Sequence, residues 1–180
     1  DSSDGTREWL ESLALPNTRI VLNEANLGKG GSIRKGITLS RGRYVVVHDP
    51  DMEYRATDMW HLLDAARDQG AAMVLGSRVL GGNVAYRYLA NYLGVRFLTS
   101  SINRLYGSRL TDAATAMKLL DGGLARSLNL ESTGFDLDFE LVVRILRLGH
   151  SVMETRVQYF PRTRAQGKKI HAWRDGLAAL

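Results

Sequence analysis

Apolar and polar positions divide the first half of the chain into alternating short and long segments. Three short runs rich in β-branched and aliphatic residues have the composition of buried strands, at residues 18–24, 43–49 and 71–78. Three longer segments have the spacing of helices, at residues 5–15, 29–42 and 56–70. We expect Gly42 and Gly70 to close the last two helices, and Thr57 or Asp58 to lie near the start of the third. This alternation predicts a mostly parallel sheet with right-handed crossovers.

The second half is less regular and mixes both kinds of element. The pattern predicts a long helical stretch, a short strand, a helix and a last strand, at residues 84–107, 115–120, 135–149 and 151–160. The predicted fold class is therefore α/β, with a mixed, mostly parallel sheet flanked by helices. Ligands of open α/β sheets bind beyond the carboxyl ends of the strands, so chemistry is expected just after Val47 and Leu75.

Composition narrows the class of protein. With 180 residues, 44% of them hydrophobic and 24% charged, the chain fits one globular domain, residues 1–180. It has no cysteine, so any metal must be held by oxygen or imidazole, and we expect no membrane-spanning segment and no signal peptide. The net charge of +5 is uneven, because residues 156–174 contain six arginines and lysines and no acid. That stretch suits a phosphate, a lipid headgroup or a nucleic acid, and a solvated basic loop is an equal alternative.

Two carboxylates follow the second predicted strand with a proline between them. Pro50 fixes its own φ and restricts the residue before it, so Asp49 and Asp51 are presented by a stiff turn and can converge on one cation. Hard divalent ions take carboxylate oxygen and leave positions for substrate phosphates, which makes a metal site one interpretation. The other is a turn in which one acid caps the helix that starts near Ala56. We leave His48 out of the metal set, because a histidine at a strand end more often only makes hydrogen bonds.

A glycine-rich segment with a lysine opens the second predicted helix. In residues 26–36, NLGKGGSIRKG, Lys29 lies among three glycines, and unpaired N–H groups at a helix start favour phosphate or other anions. The segment lacks the Walker A spacing of a P-loop. Glycines also end strands and let helices pack, so this signal is weak by itself.

Seven segments, in the same order along nearly the whole chain, resemble motifs of the family 2 glycosyltransferases of the GT-A fold, in particular the polyprenyl-phosphate (dolichyl-phosphate) mannosyl- and glucosyltransferase branch. They are DSSDGT, NLGKGGSIRKGI, HDPDMEY, VLGSR, LTDAATAMKLL, GFDLDFEL and VQYFPRTRAQGKKIHAWRDG. The third is similar to the DxD metal motif of that family. The resemblance implies a Rossmann-like GT-A fold, with a nucleotide and metal half at residues 1–80 and an acceptor half at residues 81–180.

The resemblance implies transfer of a hexose from a GDP- or UDP-linked donor to a polyprenyl phosphate. A Mg²⁺ or Mn²⁺ ion on Asp49 and Asp51 would neutralise the leaving diphosphate. Asp1, Asp4 and Lys29 would lie near the nucleotide. A lipid phosphate is already an anion and needs little or no base, so cations can clamp it. The matching segments supply four such cations, each with surface ion pairing as its alternative role: Arg78, Arg87, Arg162 and Lys168.

Two further acids lie in matching segments. The resemblance places Asp112 near the sugar, where it orders hydroxyls or, with a neutral acceptor hydroxyl, serves as a base. Glu140 is a candidate substrate contact. Leu137, Leu141 and Ile145 recur every four residues and face the predicted core, so Glu140 bordering that core is the alternative.

The chain departs from the family pattern in several places. The family opens with a strand and a PxYNE segment before the first motif, so we expect the first strand of the sheet to be missing and a sheet edge to be exposed. Ala116 replaces a usual glycine, and Arg164 to Gln166 stand where an acid often precedes the glycine. Residues 84–106 mix aromatics with arginines, which suits a headgroup interface, with a cover over the active site or a dimer face as alternatives.

The expected protein is cytoplasmic, at the inner face of a membrane, with peripheral membrane contact and a homo-oligomer both left open and no nucleic-acid partner. Two rival functions remain. One keeps the fold but uses a glycan or protein hydroxyl as acceptor, and the other is a truncated homologue that binds a nucleotide sugar without catalysis.

Overall fold

The computed structural model describes residues 2, 4–80 and 89–162. The helices there are α1 (Thr6–Ser12), α2 (Gly28–Leu39), α3 (Met59–Gln69), α4 (Leu89–Tyr106), α5 (Gly122–Ser127) and α6 (Leu137–Arg147). The strands are β1 (Tyr44–Val47), β2 (Met73–Ser77), β3 (Lys118–Asp121) and β4 (Val152–Arg156). A 3₁₀ turn at Ala56–Asp58 leads into α3. The predicted α/β class is confirmed.

The strands of the described residues form one mixed sheet in the order β1-β3-β2-β4. Strand β3 is antiparallel to both neighbours, with Leu119 opposite Val46 on β1 and Val74 on β2, whereas β2 and β4 are parallel, with Leu75 opposite Glu154. Three strands therefore share one direction, and the inserted β3 makes two of the three pairings antiparallel. The carboxyl ends of β1, β2 and β4 thus lie at the same edge as the amino end of β3.

Helices cover both faces of the sheet, because successive strand residues point to opposite sides. Met73 and Leu75 of β2 pack on one side with residues of α2, α4, α5 and α6, among them Ile37, Ile102, Ala125 and Leu141. Val74 packs on the other side with Leu62 and Ala66 of α3. Each fully buried aliphatic side chain of this kind contributes roughly 1.5–3 kcal/mol to stability. The resulting layers hold the ends of the strands in place.

The predicted strand at residues 18–24 is wrong, since the segment has no strand structure. Ile20, Val21 and Leu22 favour extended backbone, but a strand also needs a neighbouring backbone to complete its hydrogen bonds, and no described segment pairs with this one. Its carbonyls instead accept from helix side chains, with Lys35 Nζ of α2 donating to Leu22 at 3.2 Å and Arg7 Nη1 of α1 donating to Asn23 at 3.3 Å.

The predicted helix ends are right at Gly70 and wrong at Gly42. Gly70 follows α3 with a φ of 61°, a left-handed conformation that glycine adopts without strain. Helix α2 ends earlier than expected, because Ser40 donates both its N–H and its hydroxyl to the Ile37 carbonyl, at 3.1 and 2.6 Å. Gly42 lies in the bend before β1, where a Cβ would lie 2.8 Å from the Tyr44 carbonyl oxygen and leave no room for a side chain.

The remaining predicted elements are present with shifted ends. The strand predicted at residues 115–120 starts only at Lys118, and Thr115, which precedes it, donates its hydroxyl to the Gly76 carbonyl at 2.6 Å. The short helix α5 was not predicted. Helix α4 confirms residues 89–106 of the long helical stretch, and residues 81–88 lie outside the described part. Among the described residues, no helix is long and apolar enough to cross a membrane.

Candidate functional site

Asp49 and Asp51 follow β1 at the edge of the sheet where the carboxyl ends of β1, β2 and β4 lie. Each carboxylate is paired with a cationic side chain. Asp49 Oδ2 accepts a hydrogen bond from Lys29 Nζ at 2.8 Å. Asp51 Oδ2 accepts one from Arg162 Nη2 at 2.9 Å, and its Oδ1 accepts the backbone N–H of Glu53 at 3.1 Å. The aspartate side chains are 27% and 21% exposed, so both carboxylates remain accessible to solvent.

Neither acid caps the helix that follows. The 3₁₀ turn at Ala56–Asp58 and helix α3 both begin without a side-chain cap. Asp51 instead shapes its own loop through the bond to the Glu53 N–H, as aspartate commonly does in turns. The capping interpretation is therefore wrong, and cation pairing or metal binding is left for the two carboxylates.

A second lysine and a third acid extend this cluster into the core. Lys29 Nζ also lies 3.3 Å from Asp138 Oδ2 at the start of α6, and Asp138 Oδ1 accepts from Lys118 Nζ of β3 at 2.9 Å. Burial lowers the pKa of the fully buried Lys118, and Asp138 offsets only part of that effect. Burial alone would also lower the pKa of Lys29, but Asp138 and Asp49 together raise it. Lys29 is thus an ammonium held between two carboxylates.

The glycines beside Lys29 serve packing rather than anion binding. The N–H groups of Gly30 and Gly31 donate to the Thr133 carbonyl at 2.8 and 3.3 Å. A Cβ on Gly30 would lie 2.7 Å from the Ser132 carbonyl oxygen, so a side chain there would push α2 away from the loop that contains Ser132 and Thr133. The expectation of unpaired N–H groups is therefore wrong for these two glycines. What the segment presents to the carboxylate pair is the Lys29 side chain.

Glu53 connects the loop after β1 to the chain that follows β4. Its buried carboxylate accepts the backbone N–H of Arg162 at 2.9 Å and the hydroxyl of Tyr159 at 2.7 Å. Burial, and then the bond to Glu53, raise the pKa of Tyr159, so its hydroxyl stays protonated and donates. The ring centre of Tyr159 lies 5.3 Å from the guanidinium carbon of Arg78. Glu53 and Tyr159 thus connect Arg162, which is paired with Asp51, to Arg78, which follows β2.

Arg78 and Asp112 form a buried bidentate pair at the end of β2. Arg78 Nε and Nη2 donate to the two carboxylate oxygens of Asp112 at 2.7 and 2.8 Å, and the Arg78 backbone N–H donates at 3.1 Å. Burial would raise the pKa of Asp112, but the charge and hydrogen bonds of Arg78 outweigh it, so the pKa is lowered. The structure thus joins two predicted site residues that are 34 positions apart.

Glu154 of β4 holds the loop that carries Asp112. Its Oε1 accepts the Asp112 N–H at 2.8 Å, and its Oε2 accepts the N–H and the hydroxyl of Thr111 at 2.7 and 2.8 Å. Burial raises the pKa of Glu154, and these hydrogen bonds offset only part of that effect. The backbone around Asp112 is therefore fixed from the neighbouring strand.

Sequence reasoning assigned no role to several residues that build this region. They are Glu53, Lys118, Asp138, Glu154 and Tyr159. A lysine inside the apolar run AMKLL was a usable signal for Lys118, because a buried lysine needs a buried acid as its partner. An acid within the last predicted strand was a similar signal for Glu154.

The other predicted site residues lie elsewhere or outside the described part. Asp4 Oδ1 accepts the N–H and the hydroxyl of Thr6 at 3.1 and 2.6 Å, at the start of α1. Glu140 accepts the N–H of Ser132 at 2.9 Å and Arg144 Nε at 2.6 Å. Burial would raise the pKa of Glu140, but these donors lower it. Their ligand contacts stay predictions, as do those of three residues outside the described ranges: Asp1, Arg87 and Lys168.

The donor atoms at the end of β1 fit a hard divalent cation. Asp49 and Asp51 offer accessible carboxylate oxygens, which Mg²⁺ and Mn²⁺ prefer, and each oxygen has a further lone pair beyond its hydrogen bond. The described residues contain no cluster of three or more acids, histidines or cysteines that could hold a metal. A cation here would therefore take its other ligands from water and substrate phosphates, as Mg²⁺ commonly does.

Comparison with known proteins relates this fold to sugar transfer. Among curated proteins, the low-salt glycan biosynthesis hexosyltransferase Agl6 of Haloferax volcanii is 25% identical over 162 residues, which are 89% of this chain and 39% of that protein. An undecaprenyl-phosphate mannosyltransferase of Micrococcus luteus is 27% identical over 200 residues, covering 99% of this chain and 80% of that protein. The chain thus spans well under half of the first relative and most of the second.

A solved structure and a family model agree with these relatives. Glucosyl-3-phosphoglycerate synthase from Mycobacterium tuberculosis, in complex with Mn²⁺, UDP-glucose and glycerol 3-phosphate, matches with a TM-score of 0.59 and 17% identity over 92% of this chain and 56% of that chain. This likeness confirms the expected GT-A type of fold. The model of the family described as Glycosyl transferase family 2 matches residues 1–126 of the 180. The chain belongs to glycosyl transferase family 2.

Proposed function

We propose that the chain carries the site of a hexosyltransferase that moves a hexose from a GDP- or UDP-linked donor to a polyprenyl phosphate, with Mg²⁺ or Mn²⁺ as cofactor. The observation that carries this proposal is the arrangement at the end of β1, where two accessible carboxylates are paired with Lys29 and Arg162. Relatives named as hexosyl- and undecaprenyl-phosphate mannosyltransferases support the reaction class. The Mn²⁺ and UDP-glucose of the solved relative support the cofactor and the donor class.

The donor's diphosphate would be bound by the charges at the end of β1. Asp49 and Asp51 would hold the metal, which stabilises the leaving diphosphate when bound. Lys29 and Arg162 add positive charge beside these carboxylates, and Arg162 would bind phosphate oxygens directly. The planar fork of Arg162 suits a phosphate especially well. Because Glu53 fixes the Arg162 backbone, this cation is positioned before the donor arrives.

The state of Asp112 favours an acceptor that is already ionised. A neutral hydroxyl acceptor needs a base whose pKa lies near the working pH. The pKa of Asp112 is lowered, and both of its oxygens accept hydrogen bonds from Arg78, so it is a weak base. A phosphate monoester is ionised at neutral pH and can attack without such a base. Asp112 and Arg78 then act together, Asp112 orienting the guanidinium that meets the sugar or the acceptor phosphate.

Helix α4 supports contact with a lipid surface at the inner face of a membrane. Leu89, Leu93 and Phe97 are exposed at a spacing of four residues, so they form one apolar stripe. The helix also carries Arg96 and Arg104 and has no acid, which complements anionic headgroups. We expect Phe97→Ser to reduce binding to vesicles that contain anionic lipid in a sedimentation assay. Unchanged binding would exclude α4 from the membrane contact.

A transfer assay tests the proposed reaction. The protein is incubated with GDP- or UDP-hexoses and either a polyprenyl phosphate or the matching neutral polyprenol, and lipid products are identified by mass spectrometry. We expect hexose on the phosphate only, loss of transfer with a chelator, and at least a hundredfold loss with Asp51→Asn. Transfer to the polyprenol would favour a hydroxyl acceptor. Donor binding without any transfer would favour the non-catalytic homologue.

A further inference from the structure

Asp138 is the one acid of the described cluster that contacts two lysines. Its Oδ2 lies 3.3 Å from Lys29 Nζ and its Oδ1 lies 2.9 Å from Lys118 Nζ. The proposed reaction leaves both Asp138 and Lys118 without a role. A single carboxylate between two ammonium groups, one of which reaches the end of β1, therefore needs its own explanation.

Lys29 and a metal ion would compete for Asp49. The Lys29 ammonium lies 2.8 Å from Asp49 Oδ2, at hydrogen-bond distance, and a divalent cation on the same carboxylate would repel it. Lys29 is largely buried, so it would need another anion nearby to move towards. Asp138 Oδ2 already lies 3.3 Å from the same Nζ atom and provides that anion.

Lys118 keeps Asp138 in place for such an exchange. It is fully buried on β3, between neighbouring strands on both sides, and its Nζ donates to Asp138 Oδ1. A buried ammonium strongly favours keeping its carboxylate partner. Asp138 is thus fixed by the sheet, whereas the Lys29 side chain reaches both acids.

We infer that Asp138 is a positioning residue that takes up Lys29 when a divalent cation binds Asp49, and that the ion pair between Lys118 and Asp138 holds this alternative partner in place. The inference rests on the proposed function for the metal on Asp49. It goes beyond that function by assigning the lysines on α2 and β3 the task of setting metal affinity.

Binding of Mn²⁺ alone, followed by the electron paramagnetic resonance signal of the free ion, tests the exchange without catalysis. Four forms of the full chain complete a double-mutant cycle: the unaltered chain, Lys29→Met, Lys118→Met with Asp138→Asn, and all three changes together. The paired changes at 118 and 138 avoid a buried lysine without its acid. Asp136→Asn is the matched control, because Asp136 lies at the same helix start and accepts the Gly134 N–H, which asparagine can also accept. Thermal melts confirm that each form is folded.

The exchange of Lys29 between Asp49 and Asp138 predicts opposite effects on Mn²⁺ affinity for Lys29→Met and for the paired changes at 118 and 138. Lys29→Met should tighten Mn²⁺ binding about tenfold by removing the competing ammonium, and the paired changes should weaken it about tenfold because Lys29 then has Asp49 as its remaining acid. In the Lys29→Met background the paired changes should have less than about a twofold effect, and Asp136→Asn should bind like the unaltered chain. Equal weakening with and without Lys29, or no tightening by Lys29→Met, would overturn the inference. If the unaltered chain binds no Mn²⁺ at Asp51, tested with Asp51→Ala, the proposed function itself fails.

Discussion

Asp49 and Asp51 at the end of β1 lie in a different environment from Asp112, which is paired with Arg78 at the end of β2. Asp49 and Asp51 are 27% and 21% exposed, and each is paired with a cation from a distant segment. Asp112 is fully buried, and both of its oxygens accept hydrogen bonds from the guanidinium of Arg78. Glu154 adds two hydrogen bonds from the backbone of Thr111 and Asp112 and one from the Thr111 hydroxyl.

The difference indicates two tasks at one edge of the sheet. Carboxylates that keep access to solvent can exchange their cation partners for a metal at a lower cost than a fully buried pair, because solvent screens part of the charge. A buried bidentate pair cannot be opened without leaving a charge in a poor environment. We therefore assign ligand exchange to the end of β1 and rigid orientation to the end of β2, and the following predictions test that division.

The largest effect on stability is expected from Asp112→Ala. The change leaves the Arg78 side chain, which is only 11% exposed, without its bidentate partner, and should lower the free energy of unfolding by about 3–5 kcal/mol. Urea denaturation followed by circular dichroism measures this loss. A loss below about 1 kcal/mol would show that the pair behaves like a surface ion pair.

A smaller loss is expected from Glu154→Gln. The amide retains one acceptor oxygen, but its NH₂ group would face the backbone N–H of either Thr111 or Asp112, so we expect a loss of about 1–3 kcal/mol in the same experiment. Thr111→Val, which removes the hydroxyl bonds to Glu154 and Ser77 but keeps the backbone N–H bond to Glu154, serves as the control. If Glu154→Gln costs no more than Thr111→Val, the backbone bonds to this carboxylate are not what fixes the loop.

The contribution of Asp112 to the free energy of unfolding should decrease as the pH falls. Because the folded pKa of Asp112 lies below its ordinary value of 3.8, the carboxylate stabilises the fold fully above that value. This contribution is lost as the pH falls through the lower, folded pKa. The difference in unfolding free energy between the unaltered chain and Asp112→Asn should therefore be constant from about pH 5 to 7 and shrink below about pH 4. A difference that grows on acidification would contradict the direction of the shift.

The smallest effect on stability is expected at the end of β1. Asp51→Asn keeps the hydrogen bond to the Glu53 N–H and loses only an accessible ion pair with Arg162, so the fold should lose about 1 kcal/mol or less. The same change should abolish metal binding, which separates the ligand-binding task from a structural one. A loss as large as that of Asp112→Ala would remove the contrast between the two ends.

The sequence predicted the parts of this fold that depend on local pattern. The β-branched run at residues 43–49 and the run at 71–78 became β1 and β2, and the acids and arginine that follow them lie at one edge as expected. The run at residues 18–24 has the same local pattern and forms no strand, because the missing condition is a neighbouring backbone rather than a propensity.

The sequence pattern singled out several residues that the structure brings together at this edge of the sheet, but not the residues that support them. Arg162 and Asp51, both predicted site residues, are brought together beside Glu53, whereas Asp49 is paired with Lys29. The pairing of Lys118 with Asp138 spans 20 positions and forms only when β3 and α6 pack together. Sequence pattern reports which residues are apolar or charged, but the partner of a buried charge is decided by packing between elements.

Calorimetric titration with Mn²⁺ and either UDP or GDP tests the central claim most directly, namely that the paired acids after β1 bind a divalent cation that recruits a nucleoside diphosphate. We predict that one of the nucleotides binds only when Mn²⁺ is present, that Asp51→Ala abolishes this binding, and that Asp136→Asn leaves it unchanged. Nucleotide binding that is independent of Mn²⁺, or that persists in Asp51→Ala, would contradict the account.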